Sequence, residues 1–69
     1  MVLIVNGNKI ESEEGISLAE ICAKYSPYGQ EPVAILHNGK YYKSIDLGNS
    51  DVIVSDNDVI DIVPLIIGG

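Results

Sequence analysis

The chain predicts an α+β domain of two layers, a mixed sheet of four to five strands packed on one helix. Three observations carry this expectation. Twenty-three of the 69 residues are Val, Ile or Leu, mostly β-branched Val and Ile, with no Phe or Trp, and β-branched side chains favour strands. A single stretch, Ser17 to Tyr25, has helical periodicity. One helix covers one face of a sheet, so the elements stack as two layers.

Val2 to Val5 is a continuous apolar run, the pattern of a strand buried on both faces. Asn6-Gly7 suits a type I′ turn, because both residues accept positive φ. Asn8 to Ser12 then returns as a less apolar edge strand. In the helix, Ser17 and Glu20 form a capping box, in which the serine oxygen takes one orphan N–H and the glutamate reaches back for another. Leu18, Ile21, Cys22 and Tyr25 recur at i, i+3, i+4 and i+7, one apolar stripe. Pro27 stops the helix, giving it a span of about 18–26.

Pro27 to Pro32 reads as a loop. Val33 to Leu36 is a second apolar run, closed by the hairpin-type pair Asn38-Gly39, and Lys40 to Lys43 is the return strand. Tyr41 and Tyr42 point to opposite faces, so one packs inside and the other is expected to contribute to a partner surface, the sequence not telling which. Ser44 to Asp51 is irregular, with a turn at Gly48-Asn49, and Val52-Ile53-Val54 is a short strand. Asp56-Asn57-Asp58 is a tight turn with Asn57 in the left-handed region. The last strand runs from Val59 to Val63; Ile60 and Ile62 share one face, Val59, Asp61 and Val63 the other. Pro64 ends its ladder, having no N–H to donate. The domain is expected over 1–64 and a tail over 65–69. A right-handed crossover through the helix places the first and last strands side by side and parallel. That arrangement is the β-grasp, or ubiquitin-like, fold.

The composition also excludes functions. With ten acidic and four basic residues, the formal charge is −6. Nucleic acids and anionic membranes both need a basic patch, so neither is an expected partner. No apolar run approaches the roughly 20 residues that span a bilayer. Met1 to Val5 lacks the basic flank of a signal segment. Cys22 is the one cysteine, so no internal disulfide forms and a reducing cytoplasm is the expected compartment.

The landmarks taken in order resemble a known family. Val5-Asn6-Gly7 opening a hairpin, the capped helix, Leu36-His37-Asn38-Gly39, Asp56-Asn57-Asp58-Val59 and the final Ile67-Gly68-Gly69 resemble the ThiS/MoaD family of ubiquitin-like sulfur carriers. The length fits the compact ThiS group better than MoaD. Three features depart from the ThiS pattern. Asn57 stands in the middle of a turn usually written Asp-Gly-Asp, the segment from Tyr42 to Asp51 carries no familiar motif, and Pro64 looks more like MoaD.

The resemblance implies that the Gly69 carboxylate is the reacting group. An adenylating enzyme of the ubiquitin-activating type would use ATP to activate it, and it would then become a thiocarboxylate. The sulfur would come from a donor such as a cysteine desulfurase or rhodanese. The acceptor would be a thiazole synthase in thiamine formation, or next the catalytic subunit of molybdopterin synthase. On this reading the chain is no enzyme and binds no cofactor or metal. An ionised α-carboxyl, with pKa of about 3.5, is a poor electrophile, which is why activation is needed. Gly68 and Gly69 lack Cβ and can thread a narrow channel. Ordering them costs roughly 1–2 kcal/mol per residue. Leu65, Ile66 and Ile67 would offset that by docking on the partner, at roughly 1.5–3 kcal/mol per buried side chain.

The remaining chemistry-bearing residues read as structural. Cys22 lies on the apolar stripe of the helix and is expected to pack. His37 has no matching acid or nucleophile nearby in sequence. Asp56 and Asp58 lack the spacing of a calcium loop, and Glu11, Glu13 and Glu14 form a solvated segment. Two other functions share the same features: a protein modifier conjugated through Gly69, and a passive β-grasp interaction module whose tail is irrelevant.

Overall fold

The computed structural model describes residues 1–29, 31–47 and 52–65. The chain forms β1 (Val2–Val5), β2 (Asn8–Glu11), α1 (Leu18–Tyr25), β3 (Val33–His37), β4 (Lys40–Lys43) and β5 (Val59–Pro64), with a single 3-10 turn at Ser44–Asp46. The five strands make one sheet in the order β2-β1-β5-β3-β4. β1 and β5 are parallel, with Ile4 beside Val59 and Val5 beside Ile60; the other pairs are antiparallel. This is the β-grasp, with the first and last strands side by side as the apolar runs predict.

The turns follow from residue chemistry. Asn6 and Gly7 have φ of 50° and 80°, and Asn38 and Gly39 have 51° and 86°, so both hairpins use two consecutive positive-φ residues. Asn57, at 69°, takes the left-handed conformation without a glycine. The helix is capped by Ser17, whose Oγ accepts the Glu20 N–H at 3.1 Å. The reciprocal half of the expected box differs: the Glu20 carboxylate accepts from the Ser17 hydroxyl at 3.3 Å, not from its backbone N–H.

Alternation along the strands sets the core. Leu3, Val5, Val33, Ile35, Ile60 and Ile62 project from the covered face and pack with Leu18, Ile21 and Cys22 of α1. Leu47 and Val54 complete that layer. Tyr42 packs against this core while Tyr41 faces outward, which settles how the two tyrosines divide.

Three expectations are corrected. Val52-Ile53-Val54 is not a strand of the sheet. Ile53 makes an isolated antiparallel bridge with Ser17, with Leu18 N–H donating to Val52 O and Val54 N–H to Ile16 O. The apolar run recorded the burial of Val54, but its partner is the lead-in to the helix. Secondly, the start of the expected irregular segment, Ser44–Asp46, is helical; the turn expected at Gly48-Asn49 lies outside the described residues. Thirdly, Pro64 does not end the β5 ladder. Pro64 pairs with Val33, and beyond it Leu65 N–H still reaches Pro32 O at 3.4 Å. In an antiparallel pair only alternate residues donate to a given neighbour. Asn38 N–H donates to Val59 O, so the bonding positions are 59, 61, 63 and 65, and the missing N–H falls between them.

Candidate functional site

β5 is the element that leads to the diglycine. It sits in the middle of the sheet, held by β1 on one side and β3 on the other. Asn6 extends the β1 side past the end of that strand: its N–H donates to Ile60 O at 2.9 Å, and its Oδ1 accepts the Ile62 N–H at 2.6 Å. The turn residue thus stands in for one more residue of strand. On the other side the ladder with β3 reaches Leu65. Leu65 is half-buried at the sheet end, and of the three residues read as a docking grip it alone is described. Ile66, Ile67, Gly68 and Gly69 lie outside the described residues.

The start of β5 is fixed by a polar cluster around Asp58. Its carboxylate meets His37 Nε2 at 2.6 Å, Asn38 Nδ2 at 2.9 Å and the Ser55 N–H at 2.8 Å. Asn38 also accepts the Val59 N–H at 2.8 Å. Burial alone would raise the Asp58 pKa, but the hydrogen bonds from Asn38, His37 and Ser55 outweigh it and hold the carboxyl below its ordinary value. Asp56 accepts the Val2 N–H at 2.6 Å, which fastens the same turn to the start of β1. His37 therefore has an acid partner, 21 residues away. It closes a structural latch, with no nucleophile among its contacts.

The face of the sheet opposite the helix is the part of the site that the sequence reading did not name. Direct cross-strand partners project to the same side. The register therefore sets Ala34, Val63 and Lys43 in one row, Leu36, Asp61 and Tyr41 in the next, and Ile4, Val59 and Lys9 in a third. Leu36, Tyr41, Val59 and Val63 are between 37% and 53% exposed. An exposed apolar stripe of this kind is a face on which another surface can pack. Its signal was present in the sequence: Val59 and Val63 alternate with Ile60 and Ile62, and a lone helix leaves one of those faces uncovered.

Elsewhere the structure supplies little chemistry. Cys22 is buried at 8% exposure, and burial pushes its thiol pKa up, away from the thiolate that a nucleophile needs. It lies beside a cleft of about 420 Å³ lined by Ala19, Ala23, Val33, Ser44 and Leu47. Among the described residues no group of three or more His, Cys, Asp or Glu side chains is placed to hold a metal, and no helix is long and apolar enough to cross a membrane.

A β-grasp domain with its last strand central, an uncovered apolar sheet face and a diglycine following that strand defines the class of ubiquitin-like carriers. The family model of the ThiS family matches residues 3–69. The chain belongs to the ThiS family. Proteins of this family are small sulfur carriers rather than enzymes, and they work with activating enzymes and synthases. No curated protein matches the chain.

Proposed function

We propose that the chain carries sulfur as a thiocarboxylate on Gly69. In the cytoplasm, a partner enzyme transfers AMP from ATP to the Gly69 carboxylate, with release of pyrophosphate. The outer sulfur of a persulfide on a cysteine desulfurase or rhodanese then displaces AMP to give an acyl disulfide. A thiol cleaves that bond to leave the thiocarboxylate and a new disulfide, and the sulfur passes to a synthase. Thiazole formation for thiamine is the favoured pathway, because the motif order fits the ThiS group. Molybdopterin formation is the second. The chain itself binds no cofactor and supplies no catalytic side chain.

The observation that carries this reading is the family match, which takes in the diglycine as well as the folded domain. The structure supports it physically. The latch and the Asn6 bridge hold β5 at both flanks, so the residues before the diglycine start from a defined point. The uncovered stripe along β5 offers the partner a surface adjoining Leu65. An adenylating pocket that admits two glycines would reject a side chain or an added residue by simple exclusion.

The test is ATP–pyrophosphate exchange with the activating enzyme from the same organism. Wild-type chain supports exchange. Chains carrying one residue after Gly69, or Gly68→Leu, keep their circular dichroism spectrum and lose exchange. Exchange at the wild-type rate by the extended chain contradicts the proposal.

A further inference from the structure

We propose that Asp61 selects the partner of the open sheet face by requiring one basic side chain, an arginine, at the centre of that partner's apolar contact surface. The inference rests on the reading of this face as the docking surface of the carrier. Asp61 sits on the central strand, flanked along β5 by Val59 and Val63, directly across from Leu36, with Tyr41 beyond it. Asp61 as a residue is half-buried. Among the described residues it has no hydrogen-bond or ion-pair partner, although acceptors elsewhere in the molecule, such as Asp58 and Asp56, are engaged. Lys43 lies on the same face without pairing to it, one row along and across the width of β3.

Aspartate is depleted in strands, and among the described residues neither Lys9 nor Lys43, the lysines on this face, pairs with this one. Covering the stripe with a flat apolar surface would strip water from an unpaired carboxylate, which is strongly unfavourable. A partner that seats here must therefore bring a counter-charge to the middle of its patch. Arginine fits better than lysine: its guanidinium is less strongly hydrated, stacks on a tyrosine such as Tyr41, and offers paired N–H donors to a carboxylate. A surface of the same shape lacking that cation is rejected, so the carboxylate sorts among surfaces that apolar contact alone would not distinguish.

The experiment is the same exchange reaction, with the activating enzyme of the same organism at saturating ATP and the carrier concentration varied. Asp61→Asn preserves shape and removes the charge; Asp61→Lys reverses it. Circular dichroism confirms that each variant is folded. Asp61→Asn is expected to raise the KM for the carrier about tenfold or more, and Asp61→Lys further, as removal of one member of a desolvated charge pair does. The kcat stays within about twofold, because Asp61 lies outside the reacting terminus and acts in docking. The KM of the wild type is expected to rise with added salt, and that rise to flatten in Asp61→Asn. A KM for Asp61→Asn less than about fivefold above wild type, well short of the loss a desolvated pair produces, overturns the proposal and leaves Asp61 as a solubilising charge on an apolar face. Failure of the wild-type chain to support exchange removes the docking reading itself, and this inference with it.

Discussion

Replacing Asp58 with alanine removes the acceptor that ties the β3–β4 hairpin to the start of β5. Three donors are released: His37 Nε2, Asn38 Nδ2 and the Ser55 N–H. The His37 and Asp58 side chains are each 13% exposed, so their bond is shielded and contributes about 1.5–3 kcal/mol. The other two are open to water and contribute about 0.5 kcal/mol each. Asp58→Ala is therefore expected to cost about 2.5–4 kcal/mol, a large share of the roughly 3–10 kcal/mol that a chain of this length has in total. Urea titration followed by far-ultraviolet circular dichroism at pH 7 measures it. The pH dependence supplies an internal control. Asp58 has a folded-state pKa below the ordinary 3.8, so its contribution is fully present above that value. It is lost as pH falls through the depressed one, where the folded carboxylate takes up its proton. The gap between wild type and Asp58→Ala should narrow as pH is lowered below about 4. A difference under about 0.5 kcal/mol at pH 7, the level of an ordinary surface substitution, would refute the latch.

Two further outcomes follow from the core. Ile60 is fully buried between α1 and the neighbouring strands, so Ile60→Ala should cost about 2–5 kcal/mol and leave little folded protein at 37 °C, as a thermal melt will read. Cys22 should resist alkylation by iodoacetamide in the folded protein and react readily in urea; equal rates in the two conditions would contradict its burial and its raised pKa.

Much of the fold was legible because a few residue types have few places to go. Positive φ is open to a short list of residues, so Asn6-Gly7, Asn38-Gly39 and Asn57 announced their turns. The uninterrupted apolar run at Val2–Val5 and the apolar-rich stretch Val59–Val63, broken at Asp61, pointed to central strands and hence to the parallel pair. Other features depend on register, which composition does not reveal. Val52 to Val54 read as a strand because apolarity reports burial, not the identity of the partner. The proline at 64 read as a stop because its bonding phase in the ladder is set only once β3 is paired. His37 read as isolated because its acid partner comes from a turn 21 residues on. The site divides in the same way. The diglycine and the apolar run Leu65 to Ile67, proposed as a docking grip, were visible as composition in the sequence. The open stripe of Val59, Val63, Leu36 and Tyr41 needed three strands in register before it became a surface.

The central claim is that sulfur travels on Gly69, and it is tested most directly by the intact mass of the protein isolated from its native cells, with fragmentation to locate any change. A species is expected in which one oxygen of the Gly69 carboxylate is replaced by sulfur. That species is expected to disappear when the activating enzyme is deleted. A sulfur-bearing form that maps to Cys22 rather than Gly69, or one that persists without the activating enzyme, would contradict the claim.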